Sequence, residues 1–436
     1  MQCVDMFLNA RWIIPVRPAG KLLDNHTVVV HDGCIVEVTS QAIATTRYRP
    51  NQIHTLDHHV LIPGLVNAHT HAAMNLFKGL ADDLPLMEWL ESHIWPAEGR
   101  WISPDFVRDG TRLAIAEMLR SGTTCFNDMY FFPDEVGNAA SEAGMRAVVG
   151  LITIDAPTIW ANSPDEYFAK GLDVHDRFRN DPLITSAFAP HAPYTVGDAS
   201  LKRISVLAEE LDIPIHMHIH ETMGEVEEAQ RLTGFRPLKR LQQLGLLSHR
   251  LIAVHMTALD TDEIQYLSEC GAHVVHCAES NLKLASGFCE VDRLLEAGVN
   301  VAIGTDGAAS NNDLDMLGEI RTAAYLAKGV ARRANALPAS LALELATLGS
   351  AKALGLETVI GSLEPGKAAD VAAIDLWNLE TQPCFDPTAQ IVYAATRNQV
   401  TDVWVAGRHL LKERRLETLD ETALLANTQQ WQGRLK

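Results

Sequence analysis

The sequence contains no apolar run approaching the ~18–20 residues that cross a bilayer, so no membrane span is expected. It has no basic surplus either: Asp and Glu number 55 against 36 Lys and Arg, a net charge of −19. An acidic surface without a basic run argues against nucleic acid or an anionic membrane as partner. The seven cysteines (Cys3, Cys34, Cys125, Cys270, Cys277, Cys289 and Cys384) are odd in number and include no C-x-x-C, which fits free thiols in a reducing cytoplasm. The start, Met1-Gln2-Cys3-Val4-Asp5, lacks the basic opening and apolar stretch of a signal peptide, so a cytoplasmic location is expected. Low-complexity segments and short repeats are absent. What is present is a chain of 436 residues, 47% hydrophobic, enough for one large domain and a smaller one.

Residues 1–62 read as all-β. Thr27–Val30 and Cys34–Val38 flank the turn His31-Asp32-Gly33, and Asp-Gly between β-branched runs signals a hairpin. Similar strand-like runs return at Ala369–Leu376 and Val400–Gly407. The two chain ends, 1–62 and 359–436, are therefore expected to pair into a small β-sandwich, with 63–358 inserted as a catalytic domain. That insert alternates apolar runs with amphipathic segments such as Ser200–Leu211 and Asp260–Cys270. The runs are Leu61–His71, Gly122–Asp128, Arg146–Ile154, Leu183–His191, Ile213–Glu221, Leu251–His255, His273–Glu279 and Val299–Asp306. Eight β/α units with buried strands predict an α/β fold, a closed parallel (β/α)8 barrel. An open doubly wound sheet would usually carry a Gly-rich phosphate turn after its first strand. Here that strand ends in His69-Thr70-His71.

In such a barrel the active site sits at the carboxyl ends of the strands. Those ends carry His69 and His71, Asp128, His191, His218 with Glu221, His255, His276 and Asp306. Imidazoles at i and i+2 on one strand point the same way and suit zinc, though iron and manganese accept similar donors. His69, His71, His218 and Asp306 are the candidate ligands of one metal. His216 and His220 share a strand face with His218, so spacing alone does not choose among the three; His220 is expected to point outward. Leu183–His191 holds no lysine that could bridge a second metal.

Pro63–His71, His218–Glu221, Ala253-Val254-His255, Ser280–Leu284 and Gly304–Asn312 together resemble the amidohydrolase superfamily in its cytosine/adenosine-deaminase-like branch. Gly361–Asp370 resembles the returning sandwich segment, so the likeness spans nearly the whole chain. Leu76–Leu86 and Ile94–Glu98 look most like members that deaminate 5-methylthioadenosine and S-adenosylhomocysteine. The resemblance implies one zinc on His69, His71, His218 and Asp306. It assigns Glu221 to the purine ring, His255 to the attacking hydroxide, Glu98 to the ribose hydroxyls and His191 to substrate; in the mechanism expected from these roles Asp306 takes the water's proton. Trp95 and Phe77 either line the wall of a methylthio pocket or simply pack. Members that handle the homocysteine carboxylate commonly place an arginine just after the third strand, but Val149–Pro157 has none. Methylthioadenosine or adenosine is therefore expected over S-adenosylhomocysteine.

Other residues have plainer readings. Asp128 either orients a ligand histidine or caps a loop. His276 is expected to hold a backbone carbonyl, and Ser310–Asp313 to cap the helix near Leu314–Lys328. Guanine deamination and triazine dechlorination are rival chemistries for the same barrel. A non-catalytic scaffold is disfavoured because ligands and proton-handling groups are all present. The sequence leaves oligomeric state open, a homo-oligomer included.

Overall fold

The structure, a computed structural model, describes residues 1–435. Its sixteen strands form two eight-stranded sheets. The first sheet takes β1 (Gln2–Ile13), β2 (Leu23–His31), β3 (Cys34–Ser40) and β4 (Tyr48–Pro63) from the start of the chain. From the end it takes β13 (Val371–Asp375), β14 (Val400–Val405), β15 (Arg408–Lys412) and β16 (Arg415–Leu416). The order is β16-β15-β14-β13-β4-β1-β2-β3. Asp32 and Gly33, at φ 48 and 73, form the β2–β3 turn, where both central residues need positive φ. The sheet folds over on itself. Cys34 bridges to Ala368, and Leu8, Val28, Val30, Ile35, Val371 and Trp404 share one buried cluster.

The second sheet runs β5 (Leu65–Thr70), β6 (Thr123–Asp128), β7 (Arg146–Thr153), β8 (Ile184–Pro190), β9 (Ile215–Ile219), β10 (Leu251–His255), β11 (His273–His276) and β12 (Asn300–Ile303), in chain order. All neighbours are parallel. This is the expected barrel. One detail differs: the run Leu61–His71 is two strands, with Leu61–Pro63 finishing β4 in the first sheet and β5 beginning after Gly64. Strand burial explains the legibility of the rest. Every residue of β5, β6, β7, β9, β10 and β11 is buried, because helices cover the barrel outside and side chains fill it inside. No helix among the described residues is long and apolar enough to cross a membrane.

The first and last barrel strands meet through side chains. Asn67 Nδ2 donates to Thr305 Oγ1 at 2.7 Å, and the Thr305 amide donates back to Asn67 Oδ1 at 3.0 Å. The Asp306 amide donates to the His69 carbonyl at 3.1 Å. Gly304 permits this approach, since a Cβ there would fall 2.8 Å from the His69 nitrogen and 2.9 Å from Val275 Cγ1. The seam thus places His69 beside Asp306, from opposite ends of the barrel sequence.

Candidate metal centre and active site

Four donors converge at the carboxyl mouth. Asp306 Oδ1 lies 3.3 Å from His69 Nε2 and 3.2 Å from His71 Nε2, and His218 Nε2 lies 3.2 Å from His69 Nε2. Ligands about 2.0 Å from a tetrahedral ion stand about 3.3 Å apart, so this spacing fits a zinc-sized cation. The other ring nitrogens are committed elsewhere. His71 Nδ1 donates to the Met129 carbonyl at 2.6 Å, and His218 Nδ1 to the His191 carbonyl at 2.7 Å. His69 Nδ1 donates to His216 Nε2 at 2.8 Å. These contacts aim all three Nε2 lone pairs at the shared centre.

The alternation along β9 is resolved locally. His216 lies against His69 from behind, on the Nδ1 side. His220 leaves the strand at φ 54, and its buried ring meets the Ala258 carbonyl and the Leu238 amide. Only His218 reaches the donor cluster.

Electrostatics favour a cation. Burial drops His69 to about 4, and burial with His69 and His191 nearby holds His218 well below the ordinary imidazole range. Both are neutral and ready to bind. Burial opposes charge on His71, yet Asp306 and the Met129 carbonyl push it up to about 9. Burial would raise Asp306, but His69 and His71 hold it well below the usual carboxylate range. The site calls for positive charge, which a metal ion would supply in place of the proton.

Glu221 and His255 stand beside this cluster, with His255 Nε2 3.7 Å from Glu221 Oε2. Burial raises the Glu221 carboxyl. Its backbone is pinned by the Glu225 carboxylate, which accepts from the Glu221 and His220 amides at 2.8 and 3.1 Å. His255 Nδ1 donates to Asn281 Oδ1 at 2.9 Å, leaving Nε2 free as an acceptor. His255 and the next residue, Met256, have φ of 75 and 50. Consecutive left-handed residues cost about 1–3 kcal/mol each and turn the imidazole toward the cavity.

Above the cluster is a cavity of about 440 Å³, floored by His71, His218, Glu221, His255 and Asp306. Its walls include Leu90, Ile94, Trp95, Ile152, Ile154 and Ile159, and no lysine or arginine among the described residues lines it. Glu98 lines it too, accepting from the Tyr130 hydroxyl at 2.8 Å. Burial pushes the Glu98 carboxyl up to about 7. His191, dropped to about 3 by burial and the neighbouring His71 and His69, faces the cavity as a neutral ring.

Two open readings, for Phe77 and Asp128, are decided, and two expectations, for His276 and the helix cap, are corrected. Phe77 does not line the cavity; it packs on Phe106 with ring centroids 4.8 Å apart. Asp128 caps the turn after His71, accepting from the Ala72 amide at 2.6 Å and Thr70 Oγ1 at 3.0 Å, and it bonds no histidine ring. The buried His276 side chain bonds no backbone carbonyl. The helix Met316–Ala331 is capped by Asp315, which accepts from Leu317, while Ser310 donates its hydroxyl to Asp306 Oδ2 at 2.9 Å. Ser280 is the second donor to that oxygen, at 2.7 Å. Tyr130, Ser280 and Asn281 were not singled out from the sequence. Ser280 and Asn281 lie within the quoted Ser280–Leu284 motif, and Tyr130 lies two residues past the β6 end.

A candidate metal site with an adjacent buried acid, at the carboxyl mouth of a (β/α)8 barrel, is the arrangement of a metal-dependent hydrolase scaffold. The amidohydrolase family profile matches residues 60–410, and the chain belongs to that family. A 5-methylthioadenosine/S-adenosylhomocysteine deaminase of Saccharophagus degradans is 50% identical over 432 residues, 99% of this chain and 97% of the relative. The zinc-bound crystal structure of an adenosine deaminase from Xanthomonas campestris is 54% identical, with a TM-score of 0.99 over 100% of this chain and 99% of that one. An atrazine chlorohydrolase from Arthrobacter aurescens shares the fold at 22% identity, with a TM-score of 0.92 over 98% of this chain and 99% of that one.

Proposed function

We propose that this chain is a zinc-dependent deaminase of 5'-methylthioadenosine that also accepts adenosine, releasing ammonia and the inosine analogue. The observation that carries the chemistry is Glu221 and His255, 3.7 Å apart beside the four-donor cluster. The relatives' names supply the substrate class.

His69, His71, His218 and Asp306 would hold a zinc ion, which would supply an activated water near neutral pH. His255 Nε2 accepts from that water and orients it toward C6 of the adenine ring. Glu221, whose carboxyl burial raises, donates a proton to N1 as the C6–O bond forms. Asp306 receives one proton of the water and passes it to the amino group; as the C6–N bond breaks and ammonia leaves, the C6 hydroxyl proton returns to Glu221 and the C6 carbonyl forms. The Glu98 carboxylate accepts from the ribose hydroxyls, and His191 contacts substrate as a neutral ring. The apolar walls with Trp95 at the mouth suit a methylthio group. They offer an anionic tail no bidentate partner.

Ammonia release from methylthioadenosine, adenosine, S-adenosylhomocysteine and guanine tests the reading. Methylthioadenosine is expected to exceed S-adenosylhomocysteine by about tenfold or more in kcat/KM, the equivalent of about 1.4 kcal/mol for an unpaired carboxylate. Turnover of guanine, or of a triazine, in preference to every adenine nucleoside would refute it.

A further inference from the structure

The short helix Ala278–Lys283 carries three consecutive residues with separate tasks. Asn281 Oδ1 accepts a hydrogen bond from His255 Nδ1, and Ser280 donates to Asp306. Glu279 does not line the cavity; its side chain lies against that of Glu319, a wholly buried residue on the helix Met316–Ala331. Glu319 Oε1 also accepts from the Glu279 amide at 3.2 Å, and Thr322 Oγ1 donates to Glu279 Oε1 at 2.8 Å. On the other side Glu319 Oε2 lies 3.4 Å from Asn311 Nδ2, which donates to the Thr305 carbonyl at 2.8 Å. Asn311 follows Ser310, the second hydroxyl on Asp306. Glu279 and Glu319 therefore tie the helix Ala278–Lys283 to the short helix Ala308–Asn311, and a serine of each holds Asp306.

No cation contacts either carboxyl among the described residues. The charged or titratable groups facing Glu319 are Glu279, Asp313 and the Cys277 thiol. Asp315 caps the same helix, and Arg397 is turned to Asp313 and Asp315 at 3.6 and 3.9 Å. Two carboxyls in contact without a cation cannot both ionise. Burial first, then Glu279 and Asp313, hold Glu319 well above the carboxylate range.

We infer that Glu319, its carboxyl protonated, and Glu279 act as positioning residues for both Asp306 and His255. Loss of that proton sets like charges in contact and displaces helix Ala278–Lys283. Asp306 then loses the Ser280 hydroxyl and His255 its Asn281 acceptor. The inference rests on the deaminase reading for the turnover arm of its test, and an infrared arm is independent of it.

Glu319→Gln keeps the shape and is neutral at every pH. Its amide oxygen can accept from the Glu279 amide, and its NH2 can donate to the Glu279 carboxylate. Wild type, E319Q and E319A, each zinc-loaded with metal content measured, are compared in kcat and KM from about pH 6 to about pH 10. E319Q should keep wild-type kcat near pH 7 within about threefold and move the alkaline fall of kcat upward by about one pH unit or more. E319A should lose about tenfold or more in kcat with KM and metal content little changed. An alkaline profile shared by E319Q and wild type, a flat wild-type profile, or wild-type kcat in E319A would each overturn the inference. In the infrared arm, wild type at neutral pH should show a protonated-carboxyl C=O stretch that E319Q lacks, whether or not E319A folds. No such difference sinks the protonated Glu319. Absence of ammonia release by wild type from any adenine nucleoside would count against the deaminase reading instead, leaving the infrared result to decide the inference.

Discussion

Asn67 and Thr305 exchange two hydrogen bonds across the barrel seam, at 2.7 and 3.0 Å, one residue from Asp306 and two from His69. Both side chains are wholly buried. Asn67→Ala leaves the Thr305 amide and hydroxyl without those partners. It should cost about 1–3 kcal/mol of stability and also lower metal occupancy, because His69 and Asp306 would no longer be held together. Chemical denaturation with metal analysis checks both effects. Destabilisation with full occupancy would mean that the seam does not set ligand geometry.

Glu221→Gln keeps the shape and burial but cannot supply the ring proton. Turnover should fall by about 10²–10⁴-fold with zinc content unchanged. Ammonia release and metal analysis on one preparation decide it, and wild-type turnover would remove Glu221 from the proton-donor role.

The Glu98 carboxyl, pushed up to about 7 by burial, is neutral below that pH and a stronger acceptor for ribose hydroxyls above it. KM for methylthioadenosine should therefore fall as pH rises through about 7. Glu98→Gln should have a raised KM that is flat over the same range. A KM that rises with pH in wild type would contradict the assigned role.

Ile159 lines the cavity at 55% exposure, so a charged side chain there can reach solvent and pocket together. Ile159→Arg should raise kcat/KM for S-adenosylhomocysteine relative to methylthioadenosine by about tenfold, through a charge-assisted pair with the amino-acid carboxylate. An unchanged ratio would place the 5' substituent elsewhere.

The sequence was most readable where burial left a regular trace. Strands such as Arg146–Thr153 and Leu251–His255 appear as unbroken apolar runs because both barrel faces are covered, and their metal-type ends stand out. Pairing of the two chain ends was legible from β-branched texture. The choice among His216, His218 and His220 was not, since alternation treats all three alike; a left-handed φ at His220 and the hydrogen bond between His69 and His216 decide it. Phe77 carries no local sign that it packs on Phe106 rather than facing substrate. Ser310 and Asp315 are both good capping residues, and only the fold of the strand-to-helix turn turns one to Asp306 and the other to Leu317. The contact between Glu279 and Glu319 spans forty residues and exists only once two helices dock, beyond any periodicity.

Zinc titrated into metal-stripped protein, with methylthioadenosine turnover followed at each addition, bears most directly on the site as a whole. Activity should rise linearly and stop at one zinc per chain, and the H218A variant should lose that break point. Turnover by the stripped protein, or a break at two metals per chain, would contradict the single four-donor centre on which the proposed chemistry depends.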